Sequence, residues 1–175
     1  MKTEILFGVG GGILAYQMGI AKWILENIDN NFLREKCIFG GASAGSITSF
    51  FLVCSLYGID TIDIWFNEVI LRLITEIKNN KLGALFAINN LVKKIGLSIE
   101  TKITKHYPID FLNNKYHLIV TKFPEREKKI ISTFSCYNEF IEGLITSCFA
   151  PFISNGIFKK YKNMWCGDGA YCCKV

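Results

Sequence analysis

The stretch between residues 37 and 56 constrains the fold more than any other. An apolar run at 37–39 leads into Gly40-Gly41-Ala42-Ser43-Ala44-Gly45, and from Ala44 to Leu56 the residues are apolar on every side of a helical wheel. A short apolar run ending at glycine reads as a buried strand, and a helix that is apolar all round must itself be buried. One small-residue turn therefore joins two buried elements of different kinds, which requires a layered α/β core. Gly41-Ala42-Ser43-Ala44-Gly45 also fits G-x-S-x-G. Between a strand and a helix this pattern makes a sharp, strained turn that projects the serine oxygen outward. The helix start beneath it supplies unpaired N–H groups and a partial positive charge, which favour a developing oxyanion. The alternative is a small-residue turn with an incidental serine.

The N-terminus repeats the theme. Thr3–Phe7 reads as a buried strand that runs into Gly10-Gly11-Gly12, and residues 13–28 follow with helical spacing. Leu14, Met18, Ala21, Leu25 and Ile28 fall on one face of that helix, and Asn30-Asn31 is read as closing it. Consecutive glycines let a backbone approach a ligand closely and aim N–H groups at it. The triplet is thus an oxyanion loop, a phosphate loop or a plain tight turn. Gly10, Gly12 and Ala15 fit the dinucleotide pattern G-x-G-x-x-[G/A], but the next strand ends in Gly40-Gly41 where an acid is wanted. No Gly-Lys-[Ser/Thr] follows the triplet, which excludes a P-loop. Residues 5–21 carry no charge and could pass for a signal or a membrane segment. Their glycines, Gln17, and the Lys2 and Glu4 before them fit a strand–turn–helix better.

The rest of the chain continues the alternation. Residues 60–79 read as an amphipathic helix, 79–90 as a weak region and 91–98 as its continuation. Tyr116–Phe123 reads as a strand, 124–129 as a charged hairpin tip and 130–136 as the returning strand. A helix over 137–148 is stopped by Pro151. The chain of 175 residues, half of them hydrophobic, suits a single domain with one core. The net charge of +5 is scattered rather than clustered, which argues against nucleic acid as a partner. It permits weak attraction to an anionic lipid surface, about 1 kcal/mol per well-placed Lys or Arg. Seven cysteines without a convincing signal peptide point to free thiols in a reducing, intracellular compartment. The cluster Cys166, Cys172 and Cys173 has no histidine near it in sequence, so no metal is expected.

A serine nucleophile needs a base. The two histidines, His106 and His117, both precede the C-terminal part of the chain, where a Ser–acid–His order would place one. His117 falls inside a strand and His106 before Pro108. Asp168, between Gly167 and Gly169, is the remaining candidate, because flanking glycines let the chain bend and bring a carboxylate to the hydroxyl. Partial burial beside Met164, Trp165 and Ala170 is expected to raise its pKa and strengthen it as a base.

The glycine triplet, the Gly41–Gly45 turn and Asp168-Gly169-Ala170, in this order, resemble the patatin-like phospholipase family. The likeness runs from Leu6 to Ala170 and includes residues 144–152, which are similar to the segment preceding that family's acid. The resemblance implies a three-layer α/β/α fold with a central, mostly parallel sheet. It implies a lipid acyl hydrolase with Ser43 as nucleophile, Asp168 as proton acceptor, and N–H groups of Gly10, Gly11, Gly12 and Ala44 as the oxyanion hole. No cofactor is implied. The substrate class would be phospholipid or acylglycerol, and the location cytoplasmic, at a peripheral membrane or lipid-droplet surface. Phe50, Phe51 and Phe152 are expected to line an apolar cleft that favours long acyl chains. Leu14 and Ala15 stand where many members have a basic residue and a glycine, and the chain ends five residues after Ala170, so a single domain shortened at its C-terminus is expected. The alternatives are a lipid-binding relative without activity and a nucleotide-binding α/β domain.

Overall fold

The computed structural model describes residues 2–59, 61, 71, 75, 78, 107–149 and 156–172. Over these the chain forms β1 (Thr3–Phe7), α1 (Leu14–Asn27), α2 (Asn30–Lys36), β2 (Cys37–Ala42) and α3 (Ala44–Leu56). It continues with β3 (Tyr116–Phe123), β4 (Glu127–Ile131), α4 (Tyr137–Ser147), β5 (Lys159–Tyr161) and β6 (Met164–Asp168). The class is α/β, as the sequence implies. The expected helices over 60–98 lie outside the described residues, apart from Leu71, Thr75 and Lys78, which are helical, and Thr61, which is not. His106, Pro151, Phe152 and Cys173 lie outside them as well.

The strand order is β1-β2-β3-β6-β5, with β4 also paired to β3. β1, β2 and β3 run parallel, whereas β4 and β6 are antiparallel to β3, and β5 to β6. A strand has two edges, and the registers show how β3 uses them. β4 covers one edge from Leu118 to Lys122. The other edge is shared. β2 pairs with it as far as Ala42 opposite Ile119, and β6 takes over with Asp168 opposite Val120. β2 and β6 therefore meet end to end, each pointing its C-terminal residue at the other.

The helices bury the core against this sheet. α3 packs on β1, β2 and β3, α1 lies against α3, and α4 rests on β3, β6 and β5. Phe50, Tyr116 and Phe140 are fully buried and stack together, with Phe50 and Tyr116 edge to face at 6.4 Å between centroids. The Tyr116 hydroxyl donates to the Ser46 carbonyl at 2.9 Å, which satisfies a polar group that burial would otherwise penalise. Three sequence readings need correction. Asn30-Asn31 opens α2 rather than closing α1, because the Asp29 carboxylate caps the new helix by accepting from the Phe32 N–H at 2.7 Å. The returning strand stops at Ile131, short of 136. Phe50 and Phe51 lie in the core and line no open cleft.

The glycines of the turn after β2 are spacers. A Cβ on Gly45 would sit 2.2 Å from the Phe7 carbonyl oxygen, and one on Gly41 would sit 2.3 Å from the Gly45 carbonyl carbon. Only bare backbone lets the end of β1, the end of β2 and the start of α3 come so close. Gly45→Ala is therefore expected to destabilise the fold by about 1–3 kcal/mol through overpacking. Gly19→Ala, in open space on α1, should instead raise stability by up to about 1 kcal/mol. Chemical denaturation of the two variants beside wild type checks both signs.

Candidate active site

Ser43 occupies the turn between β2 and α3 with φ 54° and ψ −128°. Such a conformation costs a non-glycine residue about 1–3 kcal/mol and persists only where its surroundings enforce it. Two groups do so here. The Ser43 N–H donates to the Ser147 hydroxyl at 3.0 Å, and its carbonyl accepts from the Ser46 N–H at 3.0 Å and the Ser46 hydroxyl at 2.6 Å. The first N–H groups of α3, beginning at Ala44, have no acceptor within the helix and point out of its positive end.

The end-to-end meeting of β2 and β6 delivers the carboxylate. Asp168 closes β6 just beyond Ala42, and the Ser43 side chain is a polar neighbour that favours its charged form. The Asp168 side chain is anchored by the Ala170 N–H, which donates to Oδ1 at 2.8 Å. Its backbone is held as firmly, since its N–H donates to the Phe149 carbonyl at 2.9 Å and its carbonyl accepts from the Thr121 hydroxyl at 2.7 Å. Gly169 has no room for a side chain: a Cβ there would lie 2.6 Å from both the Ala42 Cβ and the Ile119 carbonyl oxygen.

Asp168 is only 6% exposed. Burial pushes its carboxyl pKa up, opposed by the Ala170 N–H and the Ser43 side chain, both of which favour the ionised form. The direction and its cause, burial, match the sequence expectation, but Trp165 is not one of the neighbours that bury the carboxyl. Trp165 alternates to the opposite face of β6 and is 57% exposed. A hollow of about 310 Å³ lined by Phe123, Pro124, Phe158 and Trp165 belongs to that opposite face and not to the site.

The glycine triplet follows β1, whose end packs with Gly8 against Gly45 of the turn. Gly11–Ile13 form a single 3₁₀ turn, with Gly11 at φ 39° and Gly10 at φ −152°. A Cβ on Gly10 would lie 2.7 Å from Ile13 and 2.8 Å from the Gln17 amide. Gln17, buried on α1, donates to the Gly8 carbonyl at 2.8 Å and faces the Thr48 hydroxyl at 3.4 Å, so it ties the loop to α3. His117 is elsewhere. It pairs with Gly40, alternates to the other face from Tyr116 and Leu118, and sits with Nδ1 3.4 Å from the Glu4 carboxylate.

The structure thus brings together Ser43, Ala44, Asp168, Ala170 and the spacers Gly41, Gly45 and Gly169, and Gly8, two residues before the triplet, lies against Gly45. Sequence reasoning missed Gln17 and Ser147. Each is a polar residue on the buried face of an otherwise apolar helix stretch, and that pattern was the available signal.

The chain is 25% identical over 160 residues to 1-acylglycerol-3-phosphate O-acyltransferase of Mus musculus, covering 91% of this chain and 37% of the relative. It is 24% identical over 166 residues to patatin-like phospholipase domain-containing protein 4 of Homo sapiens, covering 95% of this chain and 63% of the relative. It is 24% identical over 162 residues to omega-hydroxyceramide transacylase of Homo sapiens, covering 93% of this chain and 29% of the relative. These relatives are members of the patatin-like phospholipase family that handle lipid acyl groups. The chain spans less than two thirds of the length of each of them. No family model matches the chain, and no solved structure matches it.

The positive φ at Ser43 has a consequence independent of chemistry. Glycine adopts that conformation freely, whereas alanine does not. Ser43→Gly is expected to be more stable than Ser43→Ala by about 1 kcal/mol, within the range for a strained φ/ψ. Parallel denaturation curves read the difference, and equal stabilities would show that the turn is unstrained.

Proposed function

We propose that the chain is a serine-dependent lipid acyl hydrolase acting through Ser43 and Asp168. The observation that carries this reading is a serine on a strained turn at a helix N-terminus, beside a buried carboxylate whose charged form its side chain favours. Ser43 Oγ attacks the ester carbonyl as Asp168 takes its proton. The N–H groups of Ala44 and of Gly10, Gly11 and Gly12 receive the negative charge that develops on the carbonyl oxygen. The leaving alcohol recovers the proton and departs, leaving an acyl-serine. Asp168 then draws a proton from water, the resulting hydroxide attacks the acyl-serine, and the fatty acid is released as Ser43 recovers its proton. The likeness to lipid acyl enzymes supports phospholipid or acylglycerol as substrate. Such a substrate places the protein at a peripheral membrane or lipid-droplet surface. Among the described residues, no helix is long and apolar enough to cross a membrane.

A second reading is favoured by the names of two relatives, an O-acyltransferase and a transacylase. In it the acyl-serine is attacked by a lipid alcohol in place of water, with Asp168 in the same role. Mass analysis of products formed with and without an added acceptor alcohol separates the two, since hydrolysis yields only free fatty acid.

The nucleophile and base are tested together. Ser43→Ala and Asp168→Asn should each lower kcat on a p-nitrophenyl acyl ester by at least about a thousand-fold, as losing members of a unit does. His117→Ala and His106→Ala should leave kcat within about three-fold, because neither residue belongs to this machinery. Near-wild-type turnover by Ser43→Ala or Asp168→Asn would overturn the assignment.

The pH dependence follows from the raised Asp168 pKa. The base must be ionised, so activity falls as pH drops through the folded-state value, with the acid limb above that of an ordinary Asp and no imidazole limb near neutrality. The stability effect has the opposite sign. A carboxyl whose pKa is raised by folding favours the native state when protonated, and that contribution is lost as pH rises through the folded pKa. Asp168→Asn is therefore expected to be more stable than wild type at neutral pH while inactive, and denaturation across pH 4–8 checks this.

A further inference from the structure

The junction where β2 gives way to β6 leaves a gap in the ladder of β3, and one side chain fills it. On one side of the gap is the Ser43 N–H, the first backbone group past the end of β2. On the other is the carbonyl of Ile119, the last residue of β3 to pair with β2. A buried N–H and a buried C=O without partners would each carry a substantial penalty. The Ser147 hydroxyl, fully buried at the end of α4, accepts from the Ser43 N–H at 3.0 Å and donates to the Ile119 carbonyl at 2.8 Å. Its single proton and its lone pair are both used, in the two directions the gap requires.

We propose that Ser147 is a positioning residue for the nucleophile, its hydroxyl holding the Ser43 peptide in the strained orientation that aims Oγ at Asp168. This inference rests on the acyl-transfer reading of Ser43 and adds a residue to it. A turn held at positive φ relaxes when its restraints go, and the restraint on the N-terminal side of Ser43 is this hydroxyl. Relaxation would swing Oγ away from the carboxylate without disturbing where the acyl chain lies. Contact between the Ser43 side chain and Asp168 also favours the ionised form of the carboxylate. Losing it would raise the Asp168 pKa further and move the acid limb to higher pH. A residue that only filled core space would have no such effect.

The experiment measures labelling by an alkyl fluorophosphonate and turnover of a p-nitrophenyl ester, per folded molecule, for wild type, Ser147→Ala and Ser147→Cys. Cysteine keeps the volume of the side chain but is a weak donor and acceptor. Both variants are expected to label and turn over about ten- to a hundred-fold more slowly, the scale of a small misplacement of reacting groups. KM should stay within about three-fold, and the acid limb should shift upward. If wild type takes no label at Ser43, the acyl-transfer reading itself fails. If wild type is labelled and either variant reacts within about two-fold of it, or with an unmoved acid limb, the role of Ser147 alone is overturned. Should Ser147→Ala not fold, Ser147→Cys decides by the same criteria.

Discussion

The geometry of the site depends on one edge of β3 being shared between two strands. β2 runs parallel to β3 and β6 runs antiparallel to it, so on a common edge their C-terminal ends must converge. The convergence point is fixed by register, with Ala42 opposite Ile119 and Asp168 opposite Val120. Ser43, one residue past the first strand, and Asp168, at the end of the second, are brought together by the pairing of both strands with β3. No flexible side chain has to span the distance. Sites built on paired strands hold their groups more tightly than sites built on loops.

That convergence is crowded, and the crowding explains the composition around it. The ends of β1, β2 and β6 and the start of α3 meet in a space where Gly41, Gly45 and Gly169 have no room for a methyl group. The spacing also leaves polar backbone groups without strand partners, and side chains from three elements supply what is missing. Ser147 serves Ser43 and Ile119, Thr121 serves Asp168, and Ser49 donates to the carbonyls of Gly40 at 2.6 Å and Gly45 at 2.8 Å. Buried hydroxyls in an otherwise apolar core are thus accounted for by the interrupted ladder.

The sequence was most legible where a local rule decides the outcome. β3 at Tyr116–Phe123 and α3 at Ala44–Leu56 have the boundaries expected of them, because continuous burial leaves an unbroken apolar run. Ser43 and Asp168 could be singled out because their backbone surroundings demand glycine, and glycine is visible in a sequence. What depends on one tertiary contact was not legible. Asn30-Asn31 looks like a break until Asp29 is seen capping the next helix. Gly40 and Gly41 look like turn residues until β1 and β3 are seen to extend them as strand. Ser147 and Gln17 show in the sequence only as polar residues on otherwise apolar helix faces, and their roles depend on partners distant in sequence. The antiparallel return of β6 onto the edge used by β2 is likewise nonlocal, and no periodicity encodes it.

The small residues of the turn do not by themselves distinguish a working enzyme from a binding domain that kept its shape. Gly41, Gly45 and Gly169 would be needed in either, since packing alone demands them. The polar groups discriminate better. A chain without chemistry to perform could place asparagine at 168, accept the Ala170 N–H through its amide oxygen, and avoid burying an ionisable group. It could place glycine at 43 and relieve the positive φ. This chain retains a serine where the backbone is strained and a carboxylate where burial opposes its charge. Both choices work against stability, and the two side chains are neighbours. Unfavourable choices that converge on one point support the proposed reaction, which would use the strain and the shifted pKa in place of relaxing them away.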